Sequence, residues 1–275
     1  MKKLYLNNGG FEAVFDNLKE SFGGELQITF NEYKLRVNSR WAKGEITGIR
    51  FEKEMTYLNF DLTFNQDVTL SVEANPFAPV FFAYCEKGNL GHSFGANGEI
   101  KNLKNGQSGI MSNSTAINSV LYFESHKQIQ FSLIAIPTLA AEKTDFDFAS
   151  EVKKRFISES GNYLYIGSEN HEIEEKFEEL KAIPQQGTVR YLLMNDILKE
   201  VLELEIAQHS YNYLNSFDPL VNFAVKQMGE IKKISNLNFS EIIAPVLFFK
   251  KSLQSRSLKA KYHLELEPYN QKLAS

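Results

Sequence analysis

The sequence predicts an α+β chain: a β-rich barrel or sandwich over residues 1–140, an all-α region over 141–216, and a partial helix-turn-helix over 217–275. Three observations carry this reading. Between Glu25 and Pro137 short stretches rich in Val, Ile, Thr, Phe and Tyr alternate with polar residues and are cut by Gly, Asn and Asp pairs, which is the pattern of strands and tight turns. After Pro137 the apolar residues recur at three and four, glycine becomes scarce, and Glu and Lys fill the gaps, which is the period of helices. Near the end, a short apolar helix, a turn and a Lys-rich helix follow one another.

Within the first half, Ile46, Ile49 and Phe51 in GEITGIRF fit a strand with one bulge or twist. In TYLNFDLTF the residues Tyr57, Asn59, Asp61 and Thr63 alternate strictly with Leu58, Phe60, Leu62 and Phe64, so one face is buried. PVFFAYCEKG, HSFG with GEIKNL, QSGIMS, INSVLYF and QIQFSLIAI follow at the short intervals of a sandwich or small barrel. Turns are expected at Asn65–Asp67, Asn97–Gly98 and Asn105–Gly106.

In the second half, DFDFASEVKKRFISES and NHEIEEKFEELKAI read as two amphipathic helices, the first with an Asp cap. A long helix runs from about Val189 to Leu214. Its stripe Leu193, Ile197, Val201, Leu204, Ala207, Tyr211 and Leu214 forms a near-heptad seam, which implies packing on this chain's own core or on a second copy. A further helix is expected from Asp218 to Lys233. Ser240 to Val246 and Lys250 to His263 then form the helix-turn-helix, with Lys251, Ser255, Arg256 and Lys259 on one face of its second helix.

Charge narrows the class. The formal net charge of −4 excludes a uniformly basic nucleic-acid binder. Residues 250–275, however, hold six basic side chains against two acidic ones, a net +4, which leaves −8 on residues 1–249. An acidic body with a basic tip suits a protein that touches phosphate with one end only, and it equally suits a solvated helix face. The first ten residues hold only three consecutive apolar side chains, and no run of eighteen apolar residues occurs. A soluble, cytoplasmic protein with no membrane contact is expected.

Enzyme chemistry has few candidates. Cupin-type enzymes hold metal through clustered histidines and a carboxylate, but His92, His126, His171, His209 and His263 stand apart, with no His-x-His pair. His92, in GNLGHSFG, is expected as a polar turn residue. The single cysteine, Cys85, lies in an apolar strand and is expected to be a buried structural thiol. No glycine loop of the phosphate-binding kind joins a strand to a helix. Phe60, Phe64, Phe77, Phe81, Phe82 and Tyr84 either fill a core or line a barrel that encloses one small apolar or aromatic ligand.

The order of these parts resembles the AraC-type transcriptional regulators, particularly those common in the Bacteroidetes. In the sheet, KGEITGIRFEKEMTYLNFDLTF, FFAYCEKGNLGHSF and IKNLKNGQSGIMSN are similar to their cupin-like sensory domains. NFSEIIAPVLFFKKSLQSRSLKAKYHLELEPYNQ is similar to their first helix-turn-helix, with Leu258, Lys259, Tyr262 and Tyr269 at positions characteristic of it. The chain departs from the family pattern at Phe248, Phe249 and Lys250, where a glycine, an apolar residue and a serine cap are usual. Pro245 also removes a backbone donor inside the first helix. The family's second helix-turn-helix has no counterpart before Ser275, so half of the reading surface is expected to be absent.

The resemblance implies a ligand-responsive regulator that is not an enzyme and needs no cofactor or metal. Residues 1–140 are then the sensory domain and 141–216 the linker and dimerisation region. Double-stranded promoter or operator DNA would be contacted, with reduced affinity, by Lys250, Lys251, Ser255, Arg256 and Lys259, in a homodimer that answers to an unidentified small-molecule effector. The alternative is a ligand-binding and dimerisation module without DNA binding that acts through intact partner regulators. A cupin-like enzyme is a third class.

Overall fold

The computed structural model describes residues 2–6, 10–51, 55–74, 79–113, 117–137, 152, 155, 156 and 161–217. The helix expected over 218–233 and the helix-turn-helix over 240–263 lie outside these residues. Of the helix expected over 145–160 only Val152, Arg155 and Phe156 are described, and they are helical. The chain divides into two compact units, Met1–Tyr211 and Asn212–Ser275.

Thirteen strands are described in the first unit. They are β1 (Lys2–Leu6), β2 (Glu25–Thr29), β3 (Glu32–Asn38), β4 (Ala42–Phe51), β5 (Met55–Phe64), β6 (Val68–Val72), β7 (Val80–Lys87), β8 (Asn89–Phe94), β9 (Lys101–Lys104), β10 (Gln107–Asn113), β11 (Ser119–Phe123), β12 (Gln128–Ile136) and β13 (Asn162–Glu169). The helices are α1 (Phe11–Phe22), α2 (His171–Ala182) and α3 (Gly187–Phe217). A five-stranded sheet in the order β1-β6-β11-β8-β9 packs on an eight-stranded sheet in the order β13-β10-β7-β12-β5-β4-β3-β2. Among the described ladders only β1–β6 is parallel. The predicted α+β class, a β-rich sandwich followed by helices, is the architecture observed.

Two apolar cores lie on opposite faces of the larger sheet. The inner one joins the two sheets and α1, through residues such as Phe15, Phe22, Leu62, Leu70 and Leu121. Its aromatic rings stack on one another: Phe60 on Phe131 at 4.4 Å, and Phe123 on Phe64 at 4.8 Å. These rings therefore fill the space between the sheets. The outer core holds Tyr57, Phe82, Tyr84 and Ile134 of the sheet under Phe177 of α2 and Leu198, Val201 and Leu202 of α3.

This arrangement explains the sequence texture. β7 sends Ala83 and Cys85 inward and Val80, Phe82 and Tyr84 outward, and both sets are buried, so it reads as one unbroken apolar run. β5 alternates strictly from Asn59 onward because the helices cover only the Met55–Tyr57 end of its outer face. Beyond that cover, Asp61 accepts hydrogen bonds from Gln128 and Gln130, both at 2.8 Å.

Three elements differ from the expectation. β1 and α1 precede the first predicted strand. Phe11, Phe15, Leu18 and Phe22, spaced 4, 3 and 4, carry α1, and the last three are fully buried. β13 stands where only helices are expected: NYLYIGSE alternates, and Gly161 at φ 82° turns the chain into it. Gly167 on this strand has a packing reason as well, since a Cβ there would lie 2.7 Å from Oε1 of Gln208 on α3.

Helix α2 forms as predicted. Asn170 caps it by accepting from the amides of Glu172, at 2.9 Å, and Ile173, at 3.5 Å. Glu172 and Glu174 in the first turn and Lys181 in the last complement the helix dipole. Asn170→Ala is expected to cost about 1 kcal/mol, read as a lower urea midpoint with unchanged slope.

Candidate functional site

The predicted DNA-contact residues Lys250, Lys251, Ser255, Arg256 and Lys259 lie outside the described residues. The sites that can be built from geometry lie at one end of the sandwich and along α3.

At that end, the β8–β9 edge of the smaller sheet and the β10–β13 edge of the larger one line a small pocket. Register places the lining residues: His92 lies opposite Lys101, Leu90 opposite Leu103, Met111 opposite Leu164 and Gly109 opposite Ile166. The pocket has room for a water-sized molecule. His92 belongs to β8 and is 3% exposed, not a turn residue. The turn comes earlier, at Gly88, whose φ of 90° leaves the chain extended again by Asn89. Neither ring nitrogen of His92 has a hydrogen-bond partner among the described residues. Burial without a partner pushes its pKa down to about 4, so the ring is neutral at pH 7. The ring meets Phe94 edge to face at 4.8 Å.

Helix α3 buries Met194, Ile197, Leu198, Val201, Leu202, Glu205 and His209. Ile197 and Val201 of the predicted seam are therefore buried within this chain, while Leu193 is exposed and Leu204 and Ala207 are half-buried. Arg190 anchors the helix start, pairing with Glu32 of β3 at 3.1 Å and donating to the carbonyl of Ile183 at 2.6 Å. One turn apart on the buried face sit two ionisable groups that pattern reading passed over. Glu205 is 1% exposed, and neither carboxylate oxygen has a partner among the described residues. Desolvation holds its pKa well above the usual carboxylate range. His209 Nε2 lies 2.6 Å from the hydroxyl of Tyr163 on β13. Gln208 donates to the carbonyl of Ser168, at 2.8 Å, and accepts from Ser108 Oγ, at 2.9 Å. β13 is thus bonded to the helix through Tyr163 and Ser168.

Cys85 is buried as expected, its pKa raised to about 11 by burial. Its hydrogen partner is the carbonyl of Lys87 at 3.7 Å. Its thiol is thus kept in the unreactive form. Among the described residues no three His, Cys, Asp or Glu side chains converge as a metal site, and no described helix is long and apolar enough to cross a membrane.

No protein-family profile matches the chain, and no curated protein matches it. Solved structures do. ToxT from Vibrio cholerae is 12% identical over 74% of this chain and 77% of its own, with a TM-score of 0.35. The Cupin_2 domain of an XRE family transcriptional regulator from Enterobacter cloacae is 9% identical over 33% of this chain and 95% of its own, with a TM-score of 0.26. A mutant of Bacillus subtilis oxalate decarboxylase OxdC is 12% identical over 46% of this chain, with a TM-score of 0.27; the match spans 30% of that protein's length.

Proposed function

We propose that this chain is a ligand-responsive, DNA-binding transcriptional regulator of AraC type with low affinity for DNA, not an enzyme, working in the cytoplasm without a cofactor. The observation that carries this reading is the charge asymmetry: +4 on residues 250–275 against −8 on the rest. Lys250, Lys251, Arg256 and Lys259 would meet phosphates and Ser255 a neighbouring backbone or base edge.

The test is fluorescence anisotropy of the full chain with a labelled duplex from upstream of its own gene, at low and physiological salt. Binding is expected, and the double variant Arg256→Ala/Lys259→Ala should lower the slope of log affinity against log salt by about 2. Unchanged affinity and slope in the variant would reject the contacts. Absence of binding at both salts would reject the DNA-binding reading.

A second reading, a ligand-binding and dimerisation module that acts through partner regulators, is favoured by exposed apolar residues. Val189, Leu192 and Leu193 are exposed at the start of α3. Phe30, 75% exposed, lies 3.6 Å from where a Cβ on Gly187, the first residue of α3, would stand. A homodimer through this face suits both readings, and a monomer mass by light scattering would exclude it.

A further inference from the structure

Among the described strands, β1, β9, β13 and β2 form the ends of the two sheets. An open strand edge is a template for pairing with another chain, and proteins blunt it with lysine, proline or a covering element. β1 opens with Lys2 and Lys3, and β9 carries Lys101 and Lys104. β13 is tied to α3, whose Gln208 donates to the carbonyl of Ser168. β2 has none of these devices: its sequence ELQIT holds no lysine, proline or glycine, and only Leu26 is partly covered. The turn that follows adds to the cost of leaving this edge in water. Phe30 stands there at φ 55° with its ring 75% exposed, in a two-residue turn with Asn31, where hairpins favour Gly, Asn or Asp.

Register fixes which groups the edge presents. Thr29 and Glu32 bracket the turn as a hydrogen-bonded pair, so Thr29, Gln27 and Glu25 exchange their backbone bonds with β3. Leu26 and Ile28, which alternate with them, direct their N–H and C=O groups outward. They also share one side-chain face. Leu26 packs against the inner core there, while Ile28 is 54% exposed.

We propose that β2 is the homodimer contact: the β2 edges of two copies pair antiparallel about a two-fold axis at Gln27, joining their larger sheets into one. The proposal deepens the homodimer reading given above and rests on it. Gln27 is the middle of the five-residue strand, so this register pairs β2 from end to end.

In this register Leu26 exchanges both backbone hydrogen bonds with Ile28 of the second copy, and the symmetry repeats the exchange. The side chains agree with it. Ile28 gains Leu26 of the second copy as its cross-strand neighbour, which covers its exposed apolar surface. Glu25 falls opposite Thr29 of the second copy, so no like charges meet. At the next position Phe30 falls opposite Gly24 of the second copy, which has no side chain to displace. Sliding the pair by two residues either way leaves part of β2 unpaired. An edge complementary to itself favours a second copy over a foreign strand, and two-fold pairing consumes both edges and so closes the assembly.

The experiment measures the mass of the full chain by light scattering over a concentration series and reads the register by cysteine cross-linking. The wild type is expected to reach a dimer mass. Ile28→Lys changes an exposed side chain whose outward N–H β3 does not use; it should keep the wild-type circular dichroism and weaken dimerisation at least about tenfold. The non-hydrogen-bonded pair at the axis brings the two Gln27 Cα atoms to about 4.5 Å, within reach of a disulfide. Gln27→Cys should therefore give a disulfide-linked dimer on mild oxidation. Glu25→Cys should do so only when mixed with Thr29→Cys. The native Cys85 is buried. A monomer mass at every concentration would overturn the proposal and the homodimer reading together. A dimer that Ile28→Lys leaves undiminished, or that fails to cross-link through Gln27→Cys, would overturn the β2 contact and keep a dimer formed elsewhere. Cross-linking of Glu25→Cys alone as readily as Gln27→Cys would overturn the register. None of these readouts depends on DNA binding, so failure of the regulatory reading is seen separately, in the anisotropy.

Discussion

Raising the pH from the acid range is expected to destabilise the folded chain through Glu205, and Glu205→Gln is expected to reduce that loss. The carboxyl of Glu205 is buried on the sheet-facing side of α3 without a partner among the described residues, and desolvation favours its neutral form. In the unfolded chain it ionises near pH 4.3. Above that value the native state holds one more proton than the unfolded state, so stability falls as pH rises. His92 acts with the opposite sign. Its folded pKa is about 4 against 6.5 when free, so between those values the unfolded state holds the extra proton and stability rises with pH. Between about pH 4 and 6.5 the two contributions oppose each other; above 6.5 that of His92 no longer offsets that of Glu205. Cys85, whose pKa is raised to about 11, and Lys176, raised to about 12, act only at higher pH. Urea unfolding at about pH 5, 6.5 and 8 would measure this. Parallel profiles for the wild type and Glu205→Gln across that range would show that the acid is not held neutral. Glu205→Leu should raise stability at pH 8, because it leaves no desolvated carboxyl in the apolar layer.

The sandwich was legible because its strands announce themselves in two ways. Strands covered on one side, such as the Asn59–Phe64 part of β5, alternate; strands covered on both, such as β7, run continuously apolar. β13 was not legible, because NYLYIGSE lies between two helical patterns and its short alternation is overridden by the longer period on each side. The buried stripe of α3 was half legible. Ile197 and Val201 belong to it, but a seam traced through apolar residues steps from Val201 to Leu204 and Ala207, whereas the structure buries Leu202, Glu205 and His209. A charged residue in a helix is read as facing water, and only the packed sheet reveals the exception. His92 was missed for a related reason: glycines on either side of it suggest a loop, while the positive φ that makes the turn lies at Gly88. The predicted DNA contacts lie outside the described residues, so for them charge and resemblance remain the grounds.

Phe131→Ala is expected to cost about 3–5 kcal/mol, lowering the melting temperature by roughly 6–20 °C. The ring is fully buried in β12, between β7 and β5 in the larger sheet. It stacks on Phe60 at 4.4 Å with an interplanar angle of 3°, and lies 5.9 Å from Phe123 of the opposite sheet. Truncation removes contacts to both sheets, and neighbours that are themselves in a hydrogen-bonded ladder cannot close the void. Phe131→Leu, which keeps most of the volume, should cost no more than about 1.5 kcal/mol. Phe30→Ala, at an exposed ring, should cost under about 0.5 kcal/mol in a monomer. Calorimetry of the three variants would check this order, and a loss below about 1 kcal/mol for Phe131→Ala would mean that the centre of the sandwich is loosely packed.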